Sequence, residues 1–184
     1  MSAEPPYEFV DANVLVYAFD ASAGRKKVAA EQLLARLWEA GNGCLSVQVL
    51  QEFFVTVTRK VAQPLSAEEA ADRIREFGAW KVFAPGPRDV LRAIALHTQA
   101  KVSFWDAMVV HAAAESGCDV LWTEDLSDGQ VIGGVRIRDP FGSPSTQRSP
   151  TPRTSSVRPS RRIGRSRTKP ESAVRRNRLR RSSP

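Results

Sequence analysis

Short apolar runs alternate with longer segments of helical periodicity along most of the chain. Five such runs are present, at residues 9–17, 44–47, 81–83, 119–123 and 135–137. Runs rich in β-branched and aromatic residues predict buried strands, and we expect the last run to be an edge strand. Strands that alternate with helices across short loops predict a mostly parallel sheet with right-handed crossovers. The expected fold class is therefore a three-layer α/β/α sandwich.

Helices are predicted between these runs by apolar spacing and by end signals. The predicted helices cover residues 25–40, about 48–61, 66–77, 87–96 and about 103–115. Ser66 and Glu69 have the spacing of a capping box, and Gly41 and Gly117 stand where helices should end. The glycines form no phosphate-binding loop, which leaves a nucleotide-cofactor function without support.

The charge of the chain is divided between an acidic body and a basic tail. Residues 143–184 hold 13 of the 27 Lys and Arg residues but 1 of the 20 Asp and Glu residues. Residues 1–142 therefore have a net charge of −5, and the tail has a net charge of +12. This shift predicts one domain over residues 1–142, followed by a separate basic segment.

The basic tail is rich in Ser, Thr, Pro and Arg and has few large apolar residues. Such a segment cannot bury enough surface to offset its chain entropy, so we expect residues 143–184 to be disordered. One interpretation is a basic arm that binds RNA. The other interpretation, which we favour, is that the segment has no evolved role, since similar amino-acid sequences arise when a GC-rich gene is translated past a frameshift.

Cysteine, histidine and hydropathy patterns exclude several classes of protein. Cys44, Cys118, His97 and His111 lack the spacing of zinc ligands, and we interpret both cysteines as buried thiols in a reducing compartment. No segment approaches the roughly 18 apolar residues of a membrane helix, and the N-terminus has no signal-peptide pattern. We therefore expect a cytoplasmic protein with no membrane contact.

Four acidic residues stand near the ends of predicted elements: Asp11, Glu52, Asp106 and Asp125. Ligands of an open parallel sheet bind at the carboxyl ends of its strands, where these acids could converge. Mg²⁺ prefers oxygen ligands and typically takes one or two carboxylates together with waters and phosphate oxygens. Crowded carboxylates should also raise the pKa of at least one member.

Each acid also has a structural interpretation. Burying Asp11 among apolar residues is costly unless it is paired or metal-bound, which weakens that interpretation. Glu52 alone could be a solvated helix position, and Asp125 an ordinary loop acid. Asp106 alone could interact favourably with the dipole at the N-terminus of its helix, for which Ser103 would be the N-cap.

Three further side chains have two interpretations. Asn13 could position Asp11 or bind a metal-bound water, or it could satisfy loop backbone. His111 lies in an apolar helix and is predicted to be a packed core residue. Trp105 could stack on a nucleic-acid base, but burial is the interpretation we favour.

Four segments together resemble the signatures of PIN-domain proteins, and in particular of VapC-like toxins. Residues 9–17 resemble the first signature, 45–53 the second, 103–107 the third and 121–125 the fourth. One segment alone is a weak match, but all four occur in order within residues 7–141. The tail departs from the family, whose members usually end near Gly142.

The resemblance implies a Mg²⁺-dependent ribonuclease, with Mn²⁺ as a possible substitute, that is the toxin of a type II toxin–antitoxin pair. It implies catalytic and metal-binding roles for four residues: Asp11, Glu52, Asp106 and Asp125. It implies supporting roles for four more: Asn13, Ser46, Ser103 and Thr123. RNA is the implied substrate, a cognate antitoxin protein the implied partner, and a homodimer the implied assembly.

Other functions are also compatible with the sequence. A bound metal would polarise a phosphate and lower the pKa of a water, and a phosphatase or flap-type DNA nuclease shares that chemistry. A non-catalytic PIN-like module that binds RNA or regulates is a second alternative. A basic-tail nucleic-acid binder on a structural platform is a third. A local basic cluster could line an RNA path or simply be a solvated helix face: Arg25, Lys26, Lys27, Arg59 and Lys60.

Truncating the chain after Gly142 should leave the body folded and active, because the removed segment lacks core-forming residues. The check is the melting temperature and RNA cleavage of the truncated and full-length chains. Unfolding on truncation would contradict the boundary. Intact folding with weaker RNA binding and a flatter salt dependence would instead favour the basic-arm interpretation.

Overall fold

A computed structural model describes residues 5–142, and the predicted disorder of residues 143–184 lies outside the described residues. The strands are β1 Glu8–Val10, β2 Gly43–Ser46, β3 Lys81–Phe83, β4 Val120–Trp122, β5 Val131–Ile132 and β6 Val135–Arg138. The helices are α1 Ala12–Phe19, α2 Arg25–Ala40, α3 Val47–Val57, α4 Ala67–Phe77, α5 Pro87–Ala100 and α6 Phe104–Glu115.

The six strands form one sheet in the order β3-β2-β1-β4-β6-β5. Strand β1 pairs in parallel with β2 and β4, and β2 and β4 pair in parallel with β3 and β6. Strand β5 alone runs antiparallel, against β6. Helix α1 packs against α2 and α3, and α5 packs against α6. The predicted α/β sandwich with a mostly parallel sheet is thereby confirmed.

The predicted strand over residues 9–17 is wrong beyond Val10, because the chain turns there into helix α1. Asp11 is extended, with φ −83° and ψ 162°, and its carboxylate accepts a hydrogen bond from the Ala12 amide at 2.7 Å. This is the geometry of a helix N-cap. Both β1 and α1 are largely buried, so a continuous apolar run could not distinguish strand from helix.

The prediction of an edge strand at residues 135–137 is also wrong. Strand β6 lies between β4 and β5, and the two-residue strand β5 forms the edge. Gly133 and Gly134 both adopt positive φ, which allows the tight turn between the two strands. The short β5 carries too few residues for a strand pattern to be visible in the sequence.

Two helices end at residues other than those predicted, and the remaining predicted helix ends agree with the structure. Helix α3 ends at Val57 rather than near residue 61. At this end the Thr58 hydroxyl donates a hydrogen bond to the Phe54 carbonyl at 2.7 Å. Helix α5 continues to Ala100. The capping box of Ser66 and Glu69 is confirmed, with reciprocal hydrogen bonds of 3.1 and 2.8 Å.

Both cysteines are buried free thiols, as predicted. His111 is a buried core residue, also as predicted, and its Nε2 lies 3.0 Å from Asp89 Oδ1. Trp105 contradicts the favoured interpretation, because its side chain is 63% exposed rather than buried. Within the part of the chain that the structure describes, no helix is both long and apolar enough to cross a membrane.

Gly43→Ala should destabilise the fold by about 1–3 kcal/mol through overpacking. A Cβ on Gly43 would lie 2.4 Å from Cδ2 of the buried Trp80 ring, which Trp38 and Phe77 flank at centroid distances of 5.3 and 5.5 Å. Denaturant unfolding measures the loss. The control is Gly86→Ala, whose Cβ would meet Asp89 Oδ2 at an ordinary 3.7 Å. Equal losses in the two variants would contradict this account.

Candidate active site

Asp11 lies where the central strand β1 ends and helix α1 begins. Its backbone amide donates to the Trp122 carbonyl at 3.0 Å, which continues the pairing of β1 with β4. One carboxylate oxygen accepts from the Ala12 amide, and the other accepts from the Thr123 hydroxyl at 2.8 Å. The side chain is 8% exposed. The carboxylate is therefore fixed by hydrogen bonds rather than free to rotate.

Asn13 links Asp11 to residues that follow strand β4. Its Nδ2 lies 3.0 Å from Thr123 Oγ1, 2.9 Å from Asp125 Oδ2 and 3.5 Å from Asp11 Oδ2. The Asp125 amide also donates to Thr123 Oγ1 at 3.2 Å. Because β1 and β4 are parallel neighbours, their carboxyl ends bring these four residues together from positions about 112 apart in the chain.

Glu52 reaches the same place from helix α3, which follows strand β2. Its Oε1 accepts from Gln48 Nε2 at 2.8 Å, and the side chain is half-buried. Asp11, Glu52 and Asp125 all border one cavity of about 340 Å³. The remaining residues that line this carboxylate cavity are Ala12, Asn13, Val16, Tyr17, Asp20, Thr56, Lys60 and Val61.

Asp106 is not among the residues that line the carboxylate cavity. It lies in the first turn of helix α6 and borders a neighbouring cavity of about 610 Å³, which Asp125 also borders. Asp125 is thus the residue that the two cavities share. Of the four acids predicted to form one site, the structure places three around one cavity and the fourth around the next.

The two predicted supporting serines are helix N-caps. Ser46 Oγ accepts from the Val49 amide at 3.3 Å, at the start of the helix that carries Glu52. Ser103 Oγ accepts from the Asp106 amide at 3.0 Å, at the start of the helix that carries Asp106. Both serines therefore contribute by fixing where an acid-bearing helix begins.

The pKa of Asp11 is raised from 3.8 to about 7. Burial is the largest cause, because the charged form loses solvation. Hydrogen bonds from Thr123 and Ala12 act in the opposite direction and lower the pKa. The negative charges of Asp125 and Glu52 raise it further, because nearby like charges disfavour the ionised form of Asp11.

The chemistry of this donor set fits a hard divalent cation, since the cavity offers carboxylate oxygens and a buried acid whose charge is unfavourable. Among residues 5–142, however, no three His, Cys, Asp or Glu side chains are placed close enough to hold a metal ion together. Mg²⁺ commonly takes one or two carboxylates and completes its shell with water and phosphate oxygens. Asp11 and Asp125, which share the Asn13 amide, are the pair that suits this arrangement.

Sequence reasoning missed two features near the site. Asp20 lines the carboxylate cavity from the far end of α1, and no motif marks it. Glu124 forms an ion pair with Lys26 and accepts from the Tyr17 hydroxyl. Lys26 belongs to the local basic cluster that could line an RNA path, but its charge is paired with that of Glu124. Only a tertiary structure could show that pairing, because the partners are 98 residues apart.

The sheet order and the acidic cavity at the carboxyl ends of β1 and β4 define the molecule as an α/β protein. Comparison with known protein families narrows this class. The family model of the PIN domain matches residues 9–127. The chain therefore belongs to the PIN-domain family. No curated protein matches the chain.

Several solved structures share the fold at low sequence identity. A toxin–antitoxin complex from Klebsiella pneumoniae is 20% identical, with a TM-score of 0.54 over 73% of this chain and 98% of that one. VapC20 of Mycobacterium tuberculosis, described as a sarcin–ricin-loop-cleaving toxin, is 23% identical, with a TM-score of 0.50 over 70% and 98%. A DNA-bound VapBC from Salmonella typhimurium is 17% identical, with a TM-score of 0.54 over 74% and 99%.

The metal-free protein should lose stability as pH rises from about 4 through about 7. A carboxyl whose folded pKa is raised stabilises the fold fully below its unfolded pKa, and this contribution disappears as pH passes the folded value. Asp11→Asn keeps an N-cap of similar volume without the charge, so its stability should depend less on pH in this window. Melting temperatures at pH 5 and 7.5 with EDTA test this. Parallel losses in both proteins would contradict it.

Proposed function

We propose that this chain is a divalent-metal-dependent ribonuclease that hydrolyses RNA phosphodiester bonds with Mg²⁺, or with Mn²⁺ in its place. The observation that carries the proposal is the buried Asp11 carboxylate, which faces a cavity shared with Glu52 and Asp125. Such a carboxylate is costly unless a cation compensates it. Membership of the PIN-domain family supports a nuclease.

The proposed metal ligands are Asp11, Asp125, Glu52 and Asp106, the last through the neighbouring cavity that Asp125 also borders. A bound divalent cation would polarise the phosphate and lower the pKa of a water molecule. Burial, with a smaller contribution from the charges of Asp125 and Glu52, raises the pKa of Asp11, and this supports the assignment because a bound cation would favour the charged form.

The remaining proposed roles belong to neutral side chains. Thr123 donates to Asp11 and accepts from Asn13, so it fixes the orientation of the Asp11 carboxylate. Asn13 holds Asp125 at 2.9 Å and thereby sets the separation of two proposed ligands. Ser46 and Ser103 act through the starts of helices α3 and α6. Partners that orient metal ligands in this way usually affect activity strongly.

The proposed biological role is that of a toxin that pairs with a cognate antitoxin protein and acts as a homodimer. This role is supported by the shared fold with the Klebsiella toxin–antitoxin complex and with VapC20, whose description names a toxin that cleaves the sarcin–ricin loop. We further propose that residues 1–142 are the nuclease domain and that the tail is separate from it.

Asp11→Asn and Asp106→Asn should each reduce Mg²⁺-dependent RNA cleavage roughly 100-fold or more, and Thr123→Val roughly 10- to 100-fold. The first two substitutions remove ligand charge at nearly constant volume, and the third removes the hydroxyl that orients Asp11. The measurement is cleavage of a labelled single-stranded RNA. A matched control is Glu39→Gln, an exposed acid on α2 that lines neither cavity.

A second readout separates metal binding from activity. Mg²⁺ should raise the melting temperature of the wild type at pH 7.5, because it binds the native state, and should not raise that of Asp11→Asn. Equal shifts in both proteins would contradict the ligand assignment. A wild type that binds Mg²⁺ but cleaves no RNA would favour the alternative of a non-catalytic PIN-like binding module.

A further inference from the structure

Trp105 exposes a large aromatic ring at the start of helix α6. Its side chain is 63% exposed, although apolar rings of this size gain most from burial. The ring contacts Phe104 edge-on, with a centroid distance of 5.2 Å, so its orientation is constrained from one side. The residue therefore holds an aromatic surface towards solvent rather than contributing to the core.

The exposed ring borders a cavity of about 490 Å³, which we call the tryptophan cavity. Its other lining residues are Gln48, Gln51, Glu52, Val55, Thr56 and Lys60. Glu52, Thr56 and Lys60 also line the carboxylate cavity, so the two cavities share a wall on and just after helix α3. The two cavities therefore adjoin, so that neighbouring nucleotides of one strand could occupy one cavity each.

The composition of the tryptophan cavity matches an unpaired nucleotide. A flat aromatic surface can stack on any base, amide side chains can hydrogen-bond to base edges, and a lysine can contact phosphate. Gln51 is an exposed amide, and Lys60 forms no salt bridge with any described residue. A purely apolar partner would leave these polar groups without compensation.

We propose that Trp105 is the stacking platform of a base-binding subsite, which holds one unpaired RNA base next to the nucleotide at the carboxylate cavity. This inference rests on the proposed function and adds to it a determinant of substrate binding. Lys60 stands on the wall between the two cavities, where it can contact the phosphate that joins the two nucleotides. The subsite thus selects for single-stranded RNA, since a base inside a duplex is not free to stack on a side chain.

The test compares single-stranded RNA oligonucleotides that carry one abasic position, placed at each position in turn, with the intact oligonucleotide. Binding to the full chain is measured in EDTA, so that metal-supported cleavage does not occur, and at one fixed salt concentration. An abasic position removes a base but no phosphate, so contacts between phosphates and the basic tail cancel in the comparison. The tail contains no tryptophan, so tryptophan fluorescence provides a second signal.

Removal of the base at one position should weaken binding to the wild type roughly 5- to 150-fold, the range of base–aromatic stacking. Trp105→Leu, which keeps an apolar side chain without a π-face, should lose this dependence and its share of fluorescence quenching. Trp105→Phe should retain the dependence. Leu91→Ala is the control, because Leu91 is 67% exposed and lines neither cavity.

Base dependence that is absent from the wild type, or unchanged in Trp105→Leu, would overturn the subsite. The same holds if Trp105→Leu changes only the mass of the assembly in light scattering, since Trp105 would then be a protein contact. Cleavage of RNA without Trp105-dependent base binding would leave the proposed ribonuclease intact and remove the subsite. Trp105-dependent base binding without any cleavage in Mg²⁺ would instead support the subsite and contradict the ribonuclease.

Discussion

The Asp11 carboxylate is the interaction on which the structure around the cavity depends. One of its oxygens caps helix α1, and the other accepts from Thr123 at the end of the neighbouring strand. The same group therefore ends a strand, starts a helix and joins two elements that are distant in sequence. Its burial raises its pKa, so the hydrogen bonds that hold it in place also maintain a group whose charge the fold disfavours. A buried carboxylate whose charge is disfavoured is suited to bind a cation. The same side chain therefore has both a structural role and the proposed chemical role.

Much of the fold followed from the sequence because its signals are local. The capping box at Ser66, the left-handed Gly41 and the spacing of α2 depend on neighbouring residues, and the structure confirms each of them. The prediction of one strand over residues 9–17 is wrong because β1 and α1 are both buried there. The apolar residues therefore show no periodicity that distinguishes a strand from a helix. The order of strands cannot be read from the sequence, and this is why the prediction of an edge strand at residues 135–137 is wrong.

The candidate site was predictable as a set of acids but not as an arrangement. Residue types and positions single out four acids, and the resemblance implies that they form one metal site: Asp11, Glu52, Asp106 and Asp125. That Asp106 borders the neighbouring cavity depends on how α6 packs, which no local pattern encodes. The exposure of Trp105 was likewise invisible, since an aromatic residue in an apolar helix is usually core. Pairings such as Lys26 with Glu124 arise from tertiary contacts between distant residues and needed the structure.

The carboxylate cavity can form only after β1 has paired with β4, a strand that is distant from it in the chain. Strand β1 precedes the other strands in the chain, but its neighbour β4 and Thr123, whose hydroxyl donates to Asp11, lie more than 100 positions later. Such non-local pairings form late, because a long loop must close before they contribute. An N-terminal fragment that ends before residue 123 therefore lacks Thr123 and Asp125 altogether. The lining of the carboxylate cavity is therefore complete only in a chain that extends at least to Asp125.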